Sequence, residues 1–390
     1  MNDEREKAIL GVSEREVLPP AEGRLRSFWR LFRKNRMAMA GLAVFGLFLA
    51  TALVGLVLTS GTDPLMDPAT VRLQEKLRPP LSKPNLAMLR PKEVPALGVY
   101  LFGTDDLGRD VFARMLQGAW VSLTVGFVAV GISVIVGIFL GGIAGYYGPR
   151  PVRADRVGAS VLLTLGAALL FTGSGVTGGA ILVAGHLFLF WDLLWGRVPL
   201  LREKMPWVRV LRVPLFSVDT LLMRLVDIML CFPSFFLILT VVALLPASIY
   251  NIMIVIGLTS WMGTARFVRA EFLSLREQDF VTAARALGVG DLRIIFRHMI
   301  PNAVAPVLVS ATIGIATAIL TQAGLSFLGF GVPPPHATWG NILSDGKRFI
   351  FDAPWLTFVP GVAILVVVLS FNLFGEGLRD TLNPRLKERH

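Results

Sequence analysis

DFVTAARALGVGDLRIIFRHMIPN, residues 279–302, is a charged, turn-bearing stretch set between long apolar runs, and the rest of the chain is arranged around it. Asp279 is placed to cap a helix in which Phe280, Ala283, Ala284 and Leu287 fall at i, i+3, i+4 and i+7, one face of a 3.6-residue period. Gly288 is then the expected stop, because glycine takes a left-handed backbone without steric cost. Asp291 is placed to cap a second helix that Pro301 closes, and Val289-Gly290 forms the link. A helix of about eight residues is not stable alone in water, so the first helix has to be held by packing against something larger. Its small alanines suit close approach to a partner.

Composition sets the class. Of 390 residues 54% are hydrophobic, and the mean hydropathy is +0.65. Globular chains reach roughly half only when glycine is counted. The chain therefore reads as an all-α polytopic membrane protein. Its one cysteine, Cys231, lies in an apolar run, so neither a disulfide framework nor a cysteine metal site can be assembled within the chain. The net charge of +11 raises the question of nucleic acid, but the cations sort by position. Of 38 Lys and Arg, 28 lie in 1–36, 150–156, 197–224, 266–297 and 379–389, and the others lie in segments that alternate with these across the apolar runs. By the positive-inside tendency the first set is cytoplasmic, with both termini inside, and a nucleic-acid partner is unnecessary.

In order, residues 1–23 read as a disordered tail. Within 24–36, Leu25, Phe28, Trp29 and Phe32 line one face against Arg26, Arg30, Arg33 and Lys34, which fits an interfacial amphipathic helix on membrane lipid as well as a plain basic flank. Residues 37–59 make a first span. A proline-rich segment, 60–118, reads as an extracytoplasmic loop. Residues 119–390 hold the remaining core. In its first span Ala129, Ser133, Gly137, Gly141 and Gly145 form a small-residue stripe suited to packing on another helix. An insert at about 150–212 contains the uncharged run 157–191, broken by TGSGVTGG at 172–179. It reads as a two-helix hydrophobic hairpin, either spanning or re-entrant. Pro233 is placed to kink the next span. Arg224 and Asp227, at i and i+3, are placed to pair near the interface. In the fifth core span Ser310, Gly314, Ala318 and Gln322 share a four-residue stripe, suited equally to a pathway and to a close helix contact. Six core spans plus the hairpin make about eight.

Three local patterns resemble one family, the inner-membrane permeases of binding-protein-dependent ABC importers. Phe280, Thr282, Ala283, Ala284, Arg285, Leu287, Gly288 and Asp291 resemble its ATPase-coupling loop (here within 271–302), whose two alanines and glycine correspond to Ala283, Ala284 and Gly288. The family's leading glutamate is Thr282 here. Gly103, Thr104, Asp105, Gly108, Arg109, Asp110 and Arg114 look like the GTDxxGRD signature of the peptide-type members, and those charges fit either a mutual pairing network or a ligand site. Asp219, Arg224 and Asp227 match a DxxLMRxxD entry into the third core span, and GEGLRDTLNPRLK at the end is similar to an LRDxLDPR ending.

The resemblance implies a C-type permease of a dipeptide or oligopeptide importer in the bacterial inner membrane, forming half of a pathway. It also implies a homologous second permease, two cytosolic ATPases, an external solute-binding protein and a peptide substrate, with a nickel chelate or another small solute as the alternative. The chain itself is expected to be non-catalytic and to bind no cofactor, ATP and Mg being held by the partner ATPases. GNILSDGKR at 340–348 lacks phosphate-loop glycine spacing and carries Arg348 where Ser or Thr must reach magnesium. His186, His298, His336 and His390 are scattered, so no metal site is expected. A competing reading, an intramembrane serine hydrolase using Ser174 with His186, has no spacing that would bring base to nucleophile.

Overall fold

The computed structural model describes residues 24–148, 151–153, 181 and 214–382. The terminal tail, most of the insert, and the Ser174–His186 pair lie outside the described residues. The described elements are helices apart from one short antiparallel ribbon, β1 (Pro151–Arg153) with β2 (Pro214–Ser217), which brings together the two flanks of the insert.

Among the described residues five helices or helix runs are long and apolar enough to cross a membrane, and a bent pair makes up to six. Helix α1 (Arg24–Lys34) precedes α2 (Arg36–Thr59). Asn35 separates them because its side chain accepts from the Ala38 N–H and so starts the new helix. Next, α3 (Val111–Tyr147) runs 37 residues, so span two begins before the expected loop end at 118. Helices α4 (Val218–Leu230) and α5 (Ser234–Leu244) are one apolar segment bent by 80° at the break that contains Pro233. The proline was expected to kink the span, and it breaks it. Then come α6 (Ile249–Leu275), α7 (Asp279–Ala286), α8 (Asp291–Ile294), a π-helical turn (Ile295–Met299), α9 (Ile300–Phe327), α10 (Trp339–Gly346) and α11 (Trp355–Leu382).

The chain forms two compact units. In Met1–Gly126 with Leu308–His390, α2 packs on α11 through close backbone approaches. A Cβ on Gly41 would meet the Phe374 nitrogen at 2.9 Å, and one on Gly377 would meet the Ala38 Cβ at 2.0 Å. Phe45 stacks on Phe374 and packs at a tilt against Phe371 along the same seam.

In Phe127–Val307 the small-residue stripe of α3 does what its spacing predicts. Added Cβ atoms would approach Thr264 Cβ at 2.6 Å from Gly137, Ala265 O at 2.4 Å from Gly141 and Phe272 Cβ at 2.5 Å from Gly145, so α3 and α6 meet backbone to backbone. Gly141→Leu should therefore cost about 1–3 kcal/mol or more and lower the thermal unfolding midpoint of the purified protein. Gly131→Leu, where a Cβ meets nothing within 4 Å, should stay within about 0.5 kcal/mol of the parent.

Candidate functional site

Two clusters hold the residues of the two main sequence motifs. The first lies in the unit of α2 and α11, where the 60–110 connector closes over the start of α3. Gly103 and Gly108 have φ of +75° and +72°, and a Cβ on Gly108 would sit 1.9 Å from the Arg72 carbonyl. Both turns therefore require glycine. Between them Thr104 is fully buried, donating to the Glu75 carbonyl at 2.5 Å and accepting from the Arg78 N–H at 2.8 Å. Asp105, also fully buried, accepts from the Leu107 and Arg109 N–H groups at 2.9 and 2.8 Å. It also accepts from Arg109 Nε at 2.7 Å and Arg114 Nη1 at 2.5 Å.

The same arginines reach α10, where Asp345 Oδ2 accepts from Arg114 Nη2 at 2.9 Å and from Arg109 Nη2 at 3.3 Å. Asp110 caps α3 by accepting the Phe112 N–H at 2.9 Å, and burial pushes its carboxyl above the usual carboxylate range. Burial likewise pushes the Tyr100 hydroxyl up to about 12. Asp105 is thus saturated by protein donors, a geometry that joins the connector, α3 and α10. Glu75 and Asp345, partners that the motif alone does not name, come from distant parts of the sequence.

The second cluster lies in the other unit, around α7. Asp279 and Asp291 do not cap their helices: Gln278 and Gly290 hold the N-cap positions, and both acids are first-turn residues facing the helix dipole. The expected face is also rotated. Val281 and Ala284 are the buried residues of α7, whereas Thr282, Ala283 and Arg285 are exposed, Phe280 is 37% exposed and Leu287 is 83% exposed. Val281 and Ala284 join Tyr146, Phe272, Ile294 and Met299 in one core, which explains how so short a helix is held.

Gly288 stops α7 as expected, with φ of +74°. The Val289 N–H donates to the Ala284 carbonyl and the Gly288 N–H to the Arg285 carbonyl, each at 3.0 Å, a paired left-handed cap. Pro301 does not close a second short helix. Residues 291–327 continue as one apolar helical run through the π turn, in which the Ile300 N–H reaches back to Ile295 O, and Pro301 sits in the first turn of α9.

Tyr146 is the residue of this cluster that the sequence reading missed. It is 2% exposed, its hydroxyl donates to Asp291 Oδ1 at 2.7 Å, and the Arg285 guanidinium carbon lies 5.1 Å from its ring centroid. A tyrosine at the end of an apolar span is an ordinary interfacial feature, so only the fold exposes its partners.

Asp227 keeps the expected i, i+3 ion pair with Arg224 at its outer limit and gains a closer partner, and Asp219 finds a partner that the sequence did not name. Arg224 and Asp227 stand 4.0 Å apart and both are exposed, whereas Arg266 Nη2 reaches Asp227 Oδ1 at 2.5 Å. Arg269 holds Asp219 with both Nε and Nη2. Helical spacing pointed to the i, i+3 partner, but α6 supplies closer arginines. Two arginines inside the apolar run of α6, each needing a counter-charge, were the available signal. On α9 the small-residue stripe is not one open face: Ser310 and Gly314 are half-buried, while Ala318 and Gln322 are buried, with Gln322 Nε2 donating to Ser326 Oγ at 3.0 Å. Among the described residues no three His, Cys, Asp or Glu side chains gather as a metal site.

Residues 210–388 match the family model described as the binding-protein-dependent transport system inner membrane component, and residues 23–80 match that of the N-terminal TM domain of oligopeptide transport permease C. A dipeptide transport system permease protein of Alkalihalophilus pseudofirmus is 34% identical over 362 residues, covering 93% of this chain and 90% of the relative. One of Haemophilus influenzae is 32% identical over 366 residues, covering 93% and 96%. The oligopeptide transport system permease protein of Bacillus subtilis is 29% identical over 357 residues, covering 92% and 88%. The two family matches flank most of the insert and take in every motif outside 81–209, including the α7 loop. The chain is a multi-pass membrane protein that belongs to the binding-protein-dependent transport system inner membrane component family, the permeases of ABC importers.

Proposed function

We propose that the chain is one of two permease subunits of an importer for dipeptides or oligopeptides, docking on cytosolic ATPases through α7. The observation that carries this is the division of labour on that eight-residue helix. Val281 and Ala284 anchor it, while Phe280, Ala283 and Leu287 stay open to a partner. Phe280 and Leu287 stand exposed on a polar segment outside the apolar spans, which suits a protein contact. In this reading both termini and α7 lie in the cytoplasm of a bacterial cell, and the Asp105–Arg114–Asp345 cap lies outside, facing the solute-binding protein. ATP and Mg are held by the ATPases, and this chain supplies no catalytic group and binds no cofactor.

The mechanism follows from the joints. ATP-driven approach of the two ATPases moves α7. The core that holds Val281 and Ala284 also contains Phe272 of α6 and Tyr146 of α3, so those spans move with it. Ligand binding biases such an equilibrium only by its differential affinity for the two states. Ser310 and Gly314 on α9, with Ala318 and Gln322 beyond them, are the candidate pathway side. The dipeptide and oligopeptide names of the relatives support the substrate class.

Proteoliposomes containing this chain, the second permease and the ATPases test the proposal. Uptake of labelled dialanine is expected only with both ATP and the binding protein. Uptake of a nickel chelate but no peptide would overturn the substrate assignment, and ATP-independent uptake would overturn the mechanism.

A further inference from the structure

The bend between α7 and α8 contains two glycines, Gly288 and Gly290, and a Cβ on either would meet nothing within 4 Å. The glycine side of this elbow is therefore open, while Val281, Ala284, Val289 and Ile294 pack its other side into one core. One side chain bridges it. Tyr146, at the end of α3, takes the Arg285 guanidinium over its ring from the α7 limb and donates its hydroxyl to Asp291 on the α8 limb. Both contacts lie within the reach at which such interactions count, about 6 Å for a cation over a ring and about 2.7–2.8 Å for O–H···O. The ring is buried in the core that holds Val281 and Ala284 and packs edge-on against Tyr147 at 4.9 Å.

We infer that Tyr146 is a positioning residue for coupling: it fixes the angle of α7 across the glycine elbow and ties that helix to span α3. Phe280 and Leu287 keep their direction because Arg285 and Asp291 are held from a third element, and a push on α7 reaches α3 through the same ring. This rests on the reading of α7 as the ATPase contact. Tyr146 touches neither substrate nor nucleotide in this role.

The test uses the assembled importer with Cys231→Ser and spin labels at Val128→Cys on α3 and Ala286→Cys on α7, both exposed positions. The parent is expected to give one narrow distance distribution that shifts as a whole when the ATPases are trapped with ATP and vanadate. Tyr146→Phe keeps the ring and removes the hydroxyl. It should raise the off-angle population on the order of tenfold, as loss of a hydrogen bond to a charged acceptor does, and blunt the vanadate shift. Asp291→Ala should do the same, and Tyr146→Phe with Asp291→Ala should be no worse than either, because the two partners share one interaction. Asp291→Asn, which keeps an acceptor oxygen, should resemble the parent.

A parental distribution and shift in Tyr146→Phe would overturn the inference, as would additive single effects. Lower yield with an unchanged distribution would also overturn it, since it would make Tyr146 merely structural. Leu287→Asp separates this from the underlying reading: it should detach the ATPases without moving the distance. If the ATPases stay bound, the docking reading falls and the coupling role with it. If they detach while Tyr146→Phe is silent, only the Tyr146 inference falls.

Discussion

Arg114→Met is expected to loosen the 60–110 cap and lower the unfolding free energy by about 3 kcal/mol. Arg114 is 3% exposed and Asp105 0%, and breaking such a buried pair costs about 3–5 kcal/mol, because an uncompensated charge is left in a dry site. The low end applies because Arg109 Nε and two backbone N–H groups still hold Asp105. Asp345, 34% exposed, is partly screened by solvent and adds little to the loss. Set against a total stability of about 5–15 kcal/mol, the change is large. Arg114→Lys should fall between the two, since one ammonium cannot reproduce a fork that reaches Asp105 and Asp345 together. Thermal unfolding in detergent and limited proteolysis of the 60–110 segment read the effect. A variant as resistant as the parent would show that the network does not hold the cap.

Gly288→Val is expected to separate ATP hydrolysis from transport while leaving membrane insertion intact. A β-branched residue at φ of +74° is strained by roughly 1–2 kcal/mol, and the space around Gly288 is open, so the penalty acts on the backbone rather than through a clash. Relief of that strain breaks the Val289 to Ala284 and Gly288 to Arg285 cap and redirects Leu287, the most exposed apolar side chain of the loop. Gly288→Asn, a residue that tolerates the left-handed region, should retain most coupling. Transport and ATP turnover measured together in the reconstituted importer distinguish these outcomes, and normal transport by the valine variant would contradict the assignment of the elbow.

Local chemistry was legible in the sequence where one residue type had one physical solution. The left-handed stop at Gly288 and the glycine stripe of α3 each follow from backbone sterics and appear in the fold, and the bend at Pro233 appears as a full break rather than the expected kink. Partnerships between distant segments were not legible. Spacing pairs Asp227 with Arg224, and that pair stands at 4.0 Å, but the closer contact comes from Arg266 of α6, which spacing along one helix does not reveal. The Asp279 and Asp291 caps moved by one residue, since an acid serves a helix start at its first turn as well as at the cap. Of the expected face Phe280, Ala283, Ala284 and Leu287, only Ala284 is buried, and Val281 joins it, because a period identifies a face but not the side on which the rest of the protein lies. Tyr146 had no signal at all until Arg285 and Asp291 were seen on either side of its ring.

The central claim, that α7 is the surface through which ATP-driven motion enters this chain, has a direct test at Leu287. A photoactivatable residue placed there in the assembled importer is expected to form a covalent adduct with an ATPase subunit on illumination. The same residue at Leu365, an exposed position on the apolar span α11, should form none with the ATPases. Absence of the Leu287 adduct, with the ATPases present in the purified complex, would contradict the claim.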